Sequence, residues 1–138
     1  MSEALTAALT VFAGFVVFVG GQIVQRFLLE PIQEQRRVIG EIAYVLLYHD
    51  NVGRFHTEEY RGEVGYTLRR LAGELRRTRS TIPLYRLLEK TPFVAKTDNV
   101  IKASSALVGW SNSVIGGSED TATEHKNSIA ENLSILRP

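Results

Sequence analysis

The sequence predicts an all-α protein: an N-terminal transmembrane helix followed by a small cytoplasmic helical bundle of about four helices. Three observations point there. A charge-free apolar run occupies Ala4 to Val24. Beyond it, apolar residues recur at steps of three, four and seven, the spacing of one helix face. No β-hairpin signal and no internal repeat interrupts that spacing. The chain divides accordingly into an anchor, residues 1–30, and a bundle, residues 31–138.

The apolar run comes first. Ala4 to Val24 is 21 residues long. A helix of that length measures roughly 31 Å, which matches a bilayer hydrocarbon core of about 30 Å. Phe12, Phe15, Val16, Val17, Phe18 and Val19 point in every direction around it, whereas a surface helix of a soluble protein keeps one polar face. A cleaved signal has a positive leader and a shorter apolar stretch. Here the leader, Met-Ser-Glu-Ala, is acidic. A core helix would need enclosing on all sides, and about 110 further residues cannot supply that. Only Glu3 precedes the run, while Arg26, Arg36 and Arg37 follow it. Basic residues stay on the cytoplasmic side, so the N-terminus is expected outside and the bundle in the cytoplasm. Ala7, Gly14 and Gly21 recur every seven residues, with Thr10 beside them. Such a small-residue stripe lets helices approach closely in lipid and is a candidate association face.

Pro31 follows the run and either kinks a continuing helix or opens a new one. Ile32, Ile39, Ile42, Ala43, Leu46 and Leu47 then mark one face of a helix running to about His49. Asp50-Asn51-Val52-Gly53 reads as its exit. Thr57 is the expected cap of the next helix, with Glu58, Glu59 and Glu63 near its positive end. Its buried stripe is Tyr60, Val64, Leu68, Leu71 and Leu75. Ser80-Thr81-Ile82-Pro83 breaks it, and Pro83 opens a short helix that ends before Pro92. Asp98 is the expected cap of a helix reaching about Ile115. There Val100, Leu107 and Val114 lie seven apart, as do Ile101, Val108 and Ile115, so both rows read as a packed seam. Gly116-Gly117 ends this helix. Ser118, with Glu119 and Asp120, opens a last one lined by Ala122, Ile129, Leu133 and Leu136.

Charge is balanced overall, at +1, but unevenly placed. Arg69 to Lys102 holds nine basic against three acidic residues, while Glu30 to Glu63 holds seven acidic against four basic. Opposite excesses in neighbouring segments fit facing helices. Arg69, Arg70, Arg76, Arg77 and Arg79 form a ridge on one helix. It reads first as a solvated face paired with nearby acids, and second as a surface for anionic lipid headgroups. Nucleic acid fits poorly, because no aromatic residues interleave the arginines to stack bases.

With no cysteine, disulfides and thiolate metal sites are excluded. His49-Asp50 resembles a fragment of a metal-dependent phosphohydrolase, but only His56 and His125 remain to complete it. Ser104, Ser105, Ser111 and Ser113 have no histidine at a useful spacing, and neither G-x-S-x-G nor a phosphate loop occurs. No cofactor is expected. Trp110, Ser111, Asn112 and Ser113 place polar groups within an apolar helix. They serve either a register-fixing polar network or a recognition surface formed by Trp110 and Asn112.

Three segments, "EPIQEQRRVIGEIAYVLLYHDNV", "LRRLAGELRRTRSTIPLYRLL" and "NVIKASSALVGWSNSV", together resemble a group of small uncharacterised bacterial single-span membrane proteins with a cytoplasmic helical domain. Those carry Glu-Pro-Ile after the span, an Ile-Gly-Glu-Ile helix, a Leu-Arg-Arg-Leu helix and a Leu-Ser-Asn-Ser-like segment. Trp110 departs from the last of these. The resemblance implies a membrane-bound helical fold, and it implies no reaction and no site residues. The expected role is a non-enzymatic, membrane-anchored module that binds the bilayer and either a protein partner or a second copy of itself. The alternative is an oligomeric membrane-permeabilising effector with the bundle as its sensor.

Overall fold

Ser2 opens the first helix, α1 (Glu3–Val24), by accepting a hydrogen bond from the Leu5 N–H. The computed structural model describes residues 2–50, 52 and 56–134. Among these every regular element is helical. None of the α1 residues is buried, in keeping with a helix that is apolar on every side.

At Pro31 the helix continues rather than starting anew. The chain passes through a π-helical turn (Gln25–Leu29) straight into α2 (Glu30–Tyr48), so one continuous rod of 46 residues joins the apolar run to the folded part. A proline ring collides with the carbonyl four residues back. The Glu30 N–H instead reaches the carbonyl of Gln25, five residues back, and this widened turn lies immediately ahead of Pro31.

The buried stripe of α2 is Ile32, Gln35, Val38, Ile42, Val45 and Leu46. This corrects the face expected from Ile39, Ala43 and Leu47: the first two are half-buried and Leu47 is exposed. The stripe is narrower than the apolar content allows, because α2 lies chiefly along one neighbour, α3 (Glu58–Thr81). Thr57 caps α3 as expected, accepting from the Tyr60 N–H at 3.3 Å. Val64, Leu68, Leu71 and Leu75 are buried on it, and Tyr60 packs at the core's edge. Asn51 and Gly53, within the expected exit of α2, lie outside the described residues.

After Ile82 and Pro83 comes an elbow, residues 82–96, holding the one-turn helix α4 (Tyr85–Leu88). Then follow α5 (Thr97–Gly116) and α6 (Glu119–Asn132). Asp98 sits inside the first turn of α5 and is not its cap. The Thr97 N–H is taken instead by the Glu89 carboxylate, 3.0 Å away across the elbow. That bond holds Glu89 below the usual carboxylate range. Gly117, at φ 70°, adopts the left-handed conformation that closes α5. The N–H groups of Gly117 and Ser118 return to the carbonyls of Val114 and Ser113, completing a Schellman ending.

One core joins α2, α3, α5 and α6 through residues such as Ile42, Leu46, Leu71, Leu107, Ile129 and Leu133. Leu136 lies outside the described residues. The backbones of α3 and α5 come close at Gly65, where a Cβ would stand 2.7 Å from the Ile115 side chain. Of the two heptad rows on α5, Val100, Leu107 and Val114 are buried. Ile101, Val108 and Ile115 are exposed, which corrects the expectation of a two-row seam. Rows one residue apart differ by about 100° around a helix, so α3 and α6 cover one and leave the other. A smaller cluster of Ile32, Ile82, Tyr85 and Val94, with Leu28 and Leu88 against it, ties the elbow to the junction of α1 and α2.

Candidate functional site

Each residue singled out from the sequence has a definite place. Trp110 is 0% exposed in the core and forms no surface; the recognition reading is corrected on that point, because its indole is enclosed between the bundle's helices. Asn112 is exposed and accepts a hydrogen bond from Arg69 at 2.7 Å. Ser111 accepts from Arg69 at 3.1 Å and donates to the Gly65 carbonyl at 2.9 Å. Ser111 and Asn112 therefore fix the register of α5 on α3.

The arginine ridge is not one free surface. Arg69 is held by α5. Arg70 bonds Glu74 at 2.8 Å and lies 3.7 Å from Glu41, and Arg77 lies 3.6 Å from Glu34. Arg76 donates to Ser105 at 3.2 Å. Helices of opposite charge thus face each other, as the segment charges imply. Arg79 alone of the five makes no ion pair or hydrogen bond among the described residues.

The stripe of Ala7, Thr10, Gly14 and Gly21 lies uncovered on α1, and nothing stands within 4 Å of where a Cβ would sit on Gly14 or Gly21. Thr10 satisfies its own hydroxyl on the Thr6 carbonyl at 2.9 Å. No group of three metal-ligating side chains occurs among the described residues. His49 contacts the Tyr60 hydroxyl at 3.3 Å, and burial holds its imidazole below the ordinary value. The Asp50 carboxylate accepts from the buried Lys126 ammonium at 2.9 Å, and the Asp50 carbonyl accepts from it at 2.7 Å. The His49-Asp50 pair therefore closes the end of α2 against α3 and α6.

Around the elbow the structure assembles a feature that the separate motifs did not reveal. Arg76 and Arg79 from the end of α3, Arg86 and Lys90 from the elbow, and Lys96 at the start of α5 line an open cleft of about 960 Å³. Only Glu89 and Asp98 oppose these five cations along it. Tyr85, which lines the cleft, is braced from behind by Gln35, which is 1% exposed. Its amide donates to Tyr85 at 2.9 Å and to Thr78 at 3.1 Å, while its carbonyl accepts the Ala95 N–H at 3.0 Å. The Tyr85 hydroxyl in turn donates to the Ala95 carbonyl. Burial is the main reason the Tyr85 phenol is pushed above its usual value. Beside the cleft stand three large apolar side chains in water: Leu84 at 70% exposure, Leu87 at 62% and Phe93 at 55%. A signal for them lay in "PLYRLLEKTPF": one turn of helix needs only Tyr85 and Leu88 inside, so the remaining apolar residues are spare.

No family model matches this sequence, and no curated protein or solved structure matches it significantly. Among the described residues one helix is long and apolar enough to cross a membrane, with a mean hydropathy of 2.1 over its most apolar stretch.

Proposed function

We propose that the protein is a non-enzymatic, single-span membrane module whose helical bundle serves protein interaction or self-association. The observation that carries this reading is the rod. A helix with no buried residue and no charge from Ala4 to Val24 runs unbroken into the buried stripe of the bundle. In water such a surface is unstable, since burial of apolar area is worth roughly 25 cal/mol per Å². In a bilayer the same surface is solvated and its backbone is fully bonded within the helix. Arg26, Arg36 and Arg37 on the bundle side favour a cytoplasmic bundle and an external N-terminus at a bacterial inner membrane. The resemblance to small single-span bacterial membrane proteins agrees with this placement.

The interaction half of the reading rests on uncovered apolar faces. On α2, Tyr44 and Tyr48 stack at 5.4 Å, and both are exposed beside Leu47. On α5 the row Ile101, Val108 and Ile115 is exposed as well. Exposed apolar side chains grouped on one helix face support a contact surface there.

Alkaline carbonate extraction of membranes from expressing cells tests the anchor. The full chain is expected in the pellet, and a chain lacking residues 1–25 in the supernatant. A full-length chain that is soluble without detergent overturns the reading.

A further inference from the structure

The anchor reading has a geometric consequence at the elbow. The charge-free run ends at Val24, and Phe27, Leu28 and Leu29 extend its apolar character by one turn past Arg26. Leu28 packs against the cluster formed by Ile82, Tyr85 and Val94, and Ile32 is a member of it. At 1.5 Å per residue Leu28 lies roughly 6 Å beyond Val24 along the rod, and Ile32 roughly 12 Å. The headgroup layer of one leaflet is about 5–8 Å thick. The elbow is therefore clamped to the rod from headgroup depth, at Leu28, to just outside that layer, at Ile32, whichever side of the membrane the bundle occupies.

What the elbow presents at that depth fits an interface. Leu84, Leu87 and Phe93 are its exposed apolar residues. Leu84 adopts φ 55°, a backbone conformation that a bulky side chain rarely takes, at the start of α4. Arg79, Arg86 and Lys90 stand around the adjoining cleft, and among the described residues none of the three is in an ion pair. Exposed apolar side chains near a cleft where five cations face only Glu89 and Asp98 match the composition of segments that lie on anionic bilayers. The other arginines of the ridge differ: Arg69, Arg70 and Arg77 are engaged by side chains of neighbouring helices.

We propose that the elbow is a second membrane contact. Leu84, Leu87 and Phe93 enter the boundary between headgroups and acyl chains, and Arg79, Arg86 and Lys90 bind the phosphates of anionic lipids. This rests on the anchor reading and adds to it a fixed tilt of the bundle. A rod held at one point leaves the bundle free to lean; a rod with a lateral foot does not.

The chain has no cysteine, so single cysteines report position cleanly. Full-length Leu87→Cys, Glu119→Cys and Phe15→Cys variants, each carrying an environment-sensitive fluorophore, are reconstituted into two kinds of vesicle. One is phosphatidylcholine alone, and the other is phosphatidylcholine mixed with phosphatidylglycerol. Both are prepared in two series, one with lipids bearing nitroxide quenchers near the headgroup, read at Leu87 and Glu119, and one with nitroxides deep in the acyl chain, read at Phe15. Glu119 follows the far end of α5 and serves as the distal control. In the anionic vesicles the probe at Leu87 is expected to be quenched several-fold more than that at Glu119. Adding Arg86→Glu and Lys90→Glu is expected to remove most of that difference. Equal quenching at Leu87 and Glu119, with Phe15 quenched, overturns the elbow and leaves the anchor standing. An unquenched Phe15 overturns the anchor and the elbow together. Strong quenching at Leu87 that ignores both vesicle charge and the charge reversals overturns the assignment of phosphates to the basic residues.

Discussion

Gln35 satisfies three separate groups from the middle of an otherwise apolar stripe: the Thr78 hydroxyl, the Tyr85 hydroxyl and the Ala95 N–H. Replacing it with leucine leaves the part-buried Ala95 N–H without its acceptor and the buried Thr78 hydroxyl without its donor. An unsatisfied buried polar group costs about 1–3 kcal/mol. Gln35→Leu should therefore lower the melting temperature of the detergent-solubilised protein, despite making α2 more apolar. Thermal unfolding followed by circular dichroism checks this, and an unchanged or raised melting temperature would show that the network contributes nothing. At this scale the sequence was only partly readable. Thr57 and Gly117 announce themselves, because capping and left-handed conformations restrict residue choice. Gln35 does not, since a polar residue on a helix is ordinarily taken for a solvent-facing one. Trp110 invited a surface role for the same kind of reason: a large aromatic among serines looks like a contact until its neighbours are known.

The helices themselves follow from periodicity, but which apolar residues face inward does not. On α5 both seven-residue rows carry equally good apolar side chains, and only the placement of α3 and α6 decides that Val100, Leu107 and Val114 go inside. On α2 the same competition sends Leu47 outward. The elbow was hidden because its meaning depends on Leu28 and Ile32, some 50 residues earlier in the chain. The stripe on α1 is of another kind: its residues are exposed and face no other described part of the chain, so the proposed association is between molecules. Ala7, Gly14 and Gly21 leave a shallow groove along the helix, and close backbone approach in lipid relies on such grooves. Gly14→Leu and Gly21→Leu should each weaken self-association in a membrane two-hybrid assay, while Phe15→Leu, on a different face, should not. Equal signals from all three variants would remove the stripe as an association face.

In the whole molecule, the continuous rod makes two demands on one chain. Its first half has every face apolar and no partner within the fold, and its second half supplies one stripe to a shared core. The two halves meet at the π-helical turn ahead of Pro31, so the bundle's own packing begins at Ile32. The main core draws nothing from α1. Residues 32–138 should therefore fold without the anchor, losing only the support that Leu28 gives the elbow. Leu107 is fully buried in that core, and truncating a buried leucine to alanine typically costs about 2–5 kcal/mol. Against a total stability of roughly 5–15 kcal/mol this is a large share. Lys102 is exposed on the same helix, and surface substitutions usually stay within about 0.5 kcal/mol. Circular dichroism of the purified fragment should show a helical spectrum and a cooperative melt, shifted strongly down by Leu107→Ala and hardly at all by Lys102→Ala. A disordered spectrum, or a helical one without a cooperative transition, would mean that the bundle depends on the rod, on the membrane beneath the elbow or on a second copy to hold its shape.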